Sequence, residues 1–295
     1  MFKFTRPLGC RYPTRGFVVI FNLVKTSIKI RDRKQMSKWM TDGASTRARI
    51  GVLTPHLDAV PESEFQALAP DGVSIHAARV PLGMVGPDGE IIPHVNADIA
   101  KAFAEPPNVD NAASLLSAVS PGAIVFAFTS SSYIKGPGED VKLKNRLEQR
   151  TQDIPVIIQS DALTVALRTL NAKRIVLVHP PWFSDELDDL GARYFENGGF
   201  EVLGHGQAKL RDDYGDMTPE QIFDWVTTHT PEDTDAVVIG GGGFRAIGVI
   251  NEIENSLDIP ILSANQASFW LALRMSGIDD RLNGYGRIFE KSISH

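Results

Sequence analysis

After Arg49, two patterns of apolar residues alternate along the chain, and few folds are compatible with this alternation. Short runs rich in Val, Ile and Leu are separated by longer segments in which apolar residues recur every three or four positions. Buried parallel strands have the first pattern and amphipathic helices the second, so the chain is predicted to be an α/β protein with parallel sheets. The eight predicted strands are Arg49–Leu53, Val73–Val80, Ala123–Phe128, Pro155–Gln159, Arg174–His179, Phe200–Leu203, Ala236–Ile239 and Pro260–Ser263. Helices are predicted at Glu62–Leu68, Asn111–Val119, Asp140–Gln152, Ser160–Leu170, Ser184–Asn197, Thr218–Thr228, Phe244–Ser256 and Gln266–Met275.

The first four predicted strands and the last four form two similar sets, which indicates an internal duplication. The segments that agree best are Asp153–Ala162, DIPVIIQSDA, and Asp258–Ala267, DIPILSANQA; each is followed by an Ala-Leu-Arg triplet. We therefore predict two pseudo-symmetric, doubly wound parallel-sheet domains. The ligand cleft is expected between them, because open α/β sheets bind ligands at the carboxyl ends of their strands.

The predicted domains are residues 48–168, completed by the C-terminal segment 264–295, and residues 169–263. Residues 1–47 are predicted to be a basic N-terminal extension, because residues 1–40 contain ten Lys or Arg and one acid, Asp32. Three interpretations fit this extension: an organelle transit peptide, an over-extended translation start with Met36 or Met40 as the first residue, or a structural arm.

The charge and hydropathy of the chain exclude several classes of partner. The rest of the chain has 20 basic and 35 acidic residues, which argues against binding to a nucleic acid backbone. The longest apolar stretch, Gly16–Val24, is far short of the roughly 20 residues that span a bilayer, so we expect a soluble, cytoplasmic protein. No metal site is expected either, since His56, His94, His179 and His205 lack the spacing of metal ligands.

Polar residues at the ends of the predicted strands are the candidates for chemistry. After the first strand, His56 and Asp58 could act as general acid and base, although Asp58 could instead cap the following helix. After the third strand, Thr129–Ser132 place four hydroxyl groups where a helix begins; Thr129, Ser130 and Ser131 could hold a carboxylate or simply cap the helix. His179, at the end of the fifth strand, is either catalytic or packed in the core.

Four consecutive glycines, Gly240–Gly243, follow the seventh predicted strand. Glycine is costly in helices and strands, so such a run indicates close backbone approach to a ligand or a positive φ. The spacing is not that of a dinucleotide-binding loop. We interpret Gly241, Gly242 and Gly243 as a backbone cradle for an anion, with a loop that is merely tight as the alternative.

The chain resembles the aspartate/glutamate racemase superfamily, and most closely its maleate isomerase and arylmalonate decarboxylase branch. The resemblance runs from about Arg49 to Arg274 and rests on Ile50–Pro55, Glu62–Phe65, His76–Val80, Thr129–Ser132 with Gly136, Phe244–Arg245, Glu252, Glu254, Ser263–Ala267, Trp270 and Leu273–Arg274. It implies two pseudo-symmetric domains, no cofactor, a ligand carboxylate held by the hydroxyl and glycine loops, and a homo-oligomer.

The chain departs from this resemblance at the residues that carry the chemistry. Enzymes of the superfamily use a cysteine at the end of the third strand of each half; the matching positions here are Phe128 and Gly241. Asp58 stands where an asparagine is usual, and His179 begins a stretch in place of Thr-Pro-Tyr. Racemisation, maleate isomerisation and thiol-dependent protonation therefore cannot be carried over to this chain.

Two hypotheses remain from the sequence. In the first, the protein is an enzyme on a small carboxylate or cyclic amide, with Asp58, His56 and His179 replacing the thiols and Phe128 and the two loops forming the binding pocket. Decarboxylation, hydration or elimination, and hydrolysis are all open to it. In the second, it is a carboxylate-binding or regulatory protein that has lost the chemistry.

The only cysteine in the chain, Cys10, lies in the basic extension. We expect Cys10→Ala to leave the melting temperature unchanged and iodoacetamide to leave any turnover intact, because the predicted domains contain no thiol. Differential scanning fluorimetry and an assay after alkylation check this. Inactivation with modification confined to Cys10 would contradict it.

Overall fold

The strands occupy the predicted stretches of the chain in this computed structural model, which describes residues 43–83, 95–210 and 217–293. They are β1 (Ala48–Pro55), β2 (Val73–Val80), β3 (Ala123–Phe126), β4 (Val156–Ile158), β5 (Arg174–His179), β6 (Glu201–Gln207), β7 (Ala236–Ile239) and β8 (Ile261–Ser263). Cys10, His94 and nearly all of the predicted extension lie outside the described residues.

Ten α-helices connect or follow these strands in the described part of the chain. They are α1 (Val60–Leu68), α2 (Ala97–Phe103), α3 (Asn108–Ser117), α4 (Thr129–Lys135), α5 (Pro137–Arg150), α6 (Gln159–Thr169), α7 (Asp185–Asn197), α8 (Pro219–His229), α9 (Ile250–Leu257) and α10 (Ala264–Met275). No helix among the described residues is long and apolar enough to cross a membrane.

The strands form two parallel four-stranded sheets with the same topology. Their orders are β2-β1-β3-β4 and β6-β5-β7-β8. Every residue of β3 and of β7 is buried, as expected for strands that helices cover on both faces. The predicted fold class is confirmed, and the strand order shared by the two sheets agrees with the repeated sequence. The division into domains at residues 168 and 264 stays a prediction.

The prediction that a helix begins at Phe244 is wrong, because α9 begins six residues later, at Ile250. Gly241 has a φ of +86°, and the amide of Phe244 donates to the Gly241 carbonyl at 3.2 Å, which closes a turn. Gly248 lies inside the predicted helix, where glycine would have a high conformational entropy cost. The predicted helices also omit α2, whose N-cap Asn96 accepts a bond from the amide of Ile99 at 2.9 Å.

Helix α10 follows β8 of the second sheet but packs against α1 and α6 of the first. Its residues from Ala264 to Arg274 are all buried, which explains why the helix is apolar on nearly every face. Phe269 of α10 packs on Phe65 of α1 with ring centroids 5.0 Å apart. This contact joins elements that are distant in the sequence.

Phe269→Ala should lower the free energy of unfolding by about 3–5 kcal/mol, because it leaves a cavity beside Phe65. Leu115→Ala is the control, since that side chain is 77% exposed, and should change the value by less than about 0.5 kcal/mol. Urea unfolding measures both. Equal effects of the two substitutions would show that the α1–α10 contact does not stabilise the fold.

Candidate functional site

A small cavity lies at the carboxyl ends of the two central strands of each sheet. Its walls are Pro55, Leu57 and Asp58 after β1, Ala127–Ser130 after β3, Trp182 and Phe183 after β5, and Gly241–Gly243 after β7, together with Leu82 and Val95. The cavity volume is about 30 Å³, room for a water molecule or two. Strand-end loops of both sheets therefore meet around one point, as predicted from the parallel arrangement.

Asp58 is the one ionisable side chain among the described residues of the cavity wall. It is 5% exposed, and its Oδ1 accepts a bond from the amide of Val60 at 3.0 Å. Since Val60 is the first residue of α1, this contact supplies a partner for an amide in the unsatisfied first turn. Asp58 thus bonds the first amide of α1 from the residue before the N-cap, Ala59, and also lines the cavity. Its catalytic role stays a prediction.

The hydroxyl residues after β3 divide between the cavity and the core. Thr129 and Ser130 line the cavity, as does Phe128, whose ring lies 4.4 Å from that of Phe103. Ser131 does not line it, and its hydroxyl donates to the Phe128 carbonyl at 3.2 Å. The buried Thr129 Oγ1 has no hydrogen-bond partner within the described parts of the chain, and such atoms in binding sites are often satisfied by a ligand.

The glycine loop forms the opposite wall of the cavity through Gly241, Gly242 and Gly243. A Cβ on Gly241 would lie 2.9 Å from Cγ of Pro180, so both its φ and its surroundings require glycine. Because α9 begins at Ile250, the amides of Gly242 and Gly243 belong to a turn and not to a helix N-terminus. An anion cradle here would therefore depend on the turn alone.

The two predicted catalytic histidines do not line the cavity with Asp58. His56 is exposed, and its Nδ1 accepts a bond from the amide of Leu82 at 3.0 Å. His179 is fully buried and stacks on Phe183 with ring centroids 5.2 Å apart. Because Phe183 itself is part of the cavity wall, His179 lies one layer behind that wall.

Asp188 of α7, which sequence reasoning missed, holds two histidines. Its Oδ1 accepts from Nδ1 of His179 and its Oδ2 from Nδ1 of His205, both at 2.5 Å. Burial alone would raise the pKa of Asp188, but the hydrogen bonds and charges of the two histidines outweigh it and lower the pKa below its ordinary value. The signal in the sequence was an acid directly after the buried residue Leu187 of α7.

Asp188, Asp189 and His205 have potential metal-ligand atoms within 4.8 Å of one another. Both oxygens of Asp188 already accept histidine Nδ1 groups. Asp188, His179 and His205 therefore form a hydrogen-bonded cluster, with Asp189 exposed beside it.

Glu64 of α1, also missed, is a buried carboxylate behind the glycine loop. Its Oε1 accepts from the amides of Ala246 and Ile247 at 2.9 and 3.1 Å, and its Oε2 from Nδ2 of Asn265 at 2.7 Å. Burial raises the pKa of Glu64 to about 7, with a smaller contribution from the charge of Asp58, although the three bonds oppose the shift. The signal was an acid directly before the core residue Phe65.

The arrangement of the two sheets and the shared cavity define a class of two-sheet α/β proteins with the ligand site between strand ends. The sequence profile of the arylmalonate decarboxylase family, Amdase, matches residues 102–289. The chain therefore belongs to the arylmalonate decarboxylase family.

Curated relatives agree with this assignment. The chain is 27% identical over 252 residues to the arylmalonate decarboxylase of Bordetella bronchiseptica, covering 82% of this chain and 97% of that protein. It is 24% identical over 254 residues to the maleate isomerase of Nocardia farcinica, covering 82% and 96%. Both relatives are enzymes.

Solved structures show the same fold. A variant of the maleate isomerase Iso from Pseudomonas putida S16, solved with maleate, superposes with a TM-score of 0.72 at 22% identity and covers 82% of this chain and 97% of that one. A crystal structure of arylmalonate decarboxylase superposes with a TM-score of 0.66 at 22% identity and covers 83% and 100%.

Asp188→Asn should destabilise the protein at pH 7 by about 1–3 kcal/mol, because two imidazoles lose a charged acceptor. Since the folded-state pKa is lowered, the advantage of the wild type is present above the ordinary aspartate pKa of about 3.9 and is lost as the pH falls through the folded value. Urea unfolding from pH 7 to pH 3 measures the difference. The exposed neighbour provides the control Asp189→Asn, and equal losses in both variants would refute a special role for Asp188.

Proposed function

We propose that the protein is an enzyme that decarboxylates a small substituted malonate without a thiol, with Asp58 as the proton donor. The observation that carries this proposal is that Asp58 shares its cavity with two hydroxyl side chains and the glycine loop, while the other walls are apolar. The relatives named arylmalonate decarboxylase supply the reaction class.

Among the described residues of the cavity wall, Asp58 is the one ionisable group, which favours decarboxylation over isomerisation. When the bond between the α-carbon and the departing carboxylate breaks, CO₂ leaves. The electron pair of that bond stays on the α-carbon and is delocalised into the remaining carboxylate as an enediolate. Asp58, in its acid form, gives one proton to the α-carbon and then takes one back from water. Racemisation by two groups on opposite faces would require a second acid or base in the wall.

The remaining walls suit the other parts of such a substrate. The hydroxyls of Thr129 and Ser130 and the backbone of the glycine loop can donate to the retained carboxylate, whose charge grows in the transition state. The rings of Phe128, Trp182 and Phe183 can take an apolar substituent. Because the cavity volume is only about 30 Å³, substrate binding requires one or more of these rings to move.

Phe128 and Gly241 stand at the two positions that match the cysteines of the superfamily, and neither can act as a thiol. Phe128 packs on Phe103, and Gly241 has a positive φ with no space for a side chain beside Pro180. The only cysteine of the chain is Cys10. These features support chemistry that does not use a thiol.

A second candidate function is carboxylate binding without turnover. The small cavity favours it, as does the glycine at position 241, which provides no reactive group. The two functions differ in whether phenylmalonate, used as the probe, only raises the melting temperature or also releases CO₂. The homo-oligomer implied by the resemblance is a further proposal that gel filtration would test.

Asp58→Asn should lower phenylmalonate decarboxylation by about 100- to 10,000-fold, the usual loss on removal of a general acid. The amide keeps the shape of the side chain and can still accept from Val60, so phenylmalonate should still raise the melting temperature. Proton NMR of the product in D₂O measures turnover and shows a deuterium at the α-carbon.

The control is Asp98→Asn, a matched change at an exposed position in the first turn of α2, which should leave turnover unchanged. Wild-type turnover in the Asp58 variant would rule out Asp58 as the donor. Binding of phenylmalonate without CO₂ release by the wild type would favour the second function.

A further inference from the structure

The glycine loop is tied to the rest of the protein by a buried chain of hydrogen bonds. Nδ2 of Asn265 donates to the Gly242 carbonyl at 2.8 Å and to Oε2 of Glu64 at 2.7 Å. Oδ1 of Asn265 accepts from Nε2 of Gln159 at 2.8 Å. All three side chains are buried. Glu64 therefore reaches Gly242 through one intervening amide.

Glu64 also bonds directly to the same loop. Its Oε1 accepts from the amides of Ala246 and Ile247, four and five residues after Gly242. One carboxylate on α1 thus holds both ends of a loop that follows β7 in the other sheet. The loop has little freedom to turn while these three N–H groups share one negative charge.

The direction of the Gly242 carbonyl determines the direction of the next N–H. In a trans peptide the C=O and N–H bonds point to opposite sides, so a Gly242 carbonyl aimed at Asn265 turns the N–H of Gly243 away from Asn265. Gly242 and Gly243 are the central residues of the turn closed between Gly241 and Phe244, and they line the cavity.

We propose that Glu64 is a positioning residue that, through Asn265, holds the Gly243 N–H toward the cavity as a donor for a carboxylate ligand. This inference rests on the proposed function for its ligand class, but the arrangement of the loop can be tested without any ligand. It assigns a role to a buried acid that the decarboxylation scheme does not use.

Protonation of Glu64 should release the loop. An acid group at Glu64 needs an acceptor, which Asn265 can provide by rotating its amide so that Oδ1 faces Glu64. That rotation removes the donor from the Gly242 carbonyl, and the displaced Nδ2 then faces Gln159, whose buried Oε1 has no partner among the described residues. The raised pKa of Glu64, about 7, places this change near neutral pH.

The charged groups around Glu64 define the controls. Asp58 precedes α1, and its charge raises the pKa of Glu64. Glu64 and Arg245 also line a second cavity, separate from the one that contains Asp58. From β2, Arg79 pairs with Glu62 and donates to the Asp58 carbonyl, and α10 presents the neutral Asn265. The effect of Glu64 on the loop must therefore be tested with the charge of Asp58 removed as well.

The test is a pH series of ¹H–¹⁵N correlation spectra of the ligand-free protein from pH 5.5 to 8.5. The Gly243 amide should shift with a midpoint near 7 in the wild type, and this shift should be absent in Glu64→Gln. The matched control Glu62→Gln, two residues away on α1, should retain it. In Asp58→Asn the midpoint should move lower, whereas loss of the titration there would assign it to Asp58 and overturn the proposal.

Asn265→Ala keeps the test decisive if Glu64→Gln does not fold. In that variant the amides of Ala246 and Ile247 should still titrate with Glu64, while the Gly243 amide should not. The positioning role would be overturned if the Gly243 amide still titrated in Glu64→Gln or in Asn265→Ala. It would also be overturned if this amide did not titrate in the wild type.

Phenylmalonate then separates this inference from the proposed function. Its affinity should fall by about 10- to 100-fold in Glu64→Gln at pH 8, the effect of misplacing one charge-assisted donor. A titrating Gly243 amide in a protein that binds no phenylmalonate would support the positioning role and contradict the proposed function. Tight binding that leaves the Gly243 resonance unmoved would contradict the positioning role alone.

Discussion

One buried carboxylate, that of Glu64, joins the loops of the two sheets. It sits on α1, after the first strand of one sheet, and accepts three N–H groups, two from the loop after β7 and one from α10. A buried charge is tolerated only when it is well hydrogen-bonded. The bonds that satisfy Glu64 are therefore the same bonds that hold the glycine loop against the first sheet and shape one wall of the cavity.

The ionisable groups of the protein are sorted into layers around that cavity. Asp58 is the one ionisable group that the described residues place in the wall, Glu64 lies behind the glycine loop, and the pair of His179 with Asp188 lies behind Phe183. The proposed decarboxylation needs one proton donor, and a carboxyl group in a mostly apolar wall is suited to that role.

Strand-end reasoning placed the hydroxyl and glycine loops together correctly because parallel strands bring their carboxyl ends to one edge. It could not place side chains within those loops. His56 and Asp58 are two residues apart, yet the turn after β1 exposes one and buries the other. The start of α9 was likewise set by the turn around Gly241, whose closing bond is not visible as a periodicity.

The two parallel sheets and their approximate strands follow from local sequence, because short buried strands and amphipathic helices have distinct periodicities. The strand order within each sheet comes from the structure. The roles of Glu64, Asp188 and Asn265 appear only in the folded protein. Each forms its bonds with residues on another element; the Glu64–Asn265 pair is separated by 201 positions. The packing of whole helices decides which residues become hydrogen-bond partners over such distances, so no local sequence pattern predicts them. Only the tertiary structure determines the hydrogen-bond network behind the glycine loop.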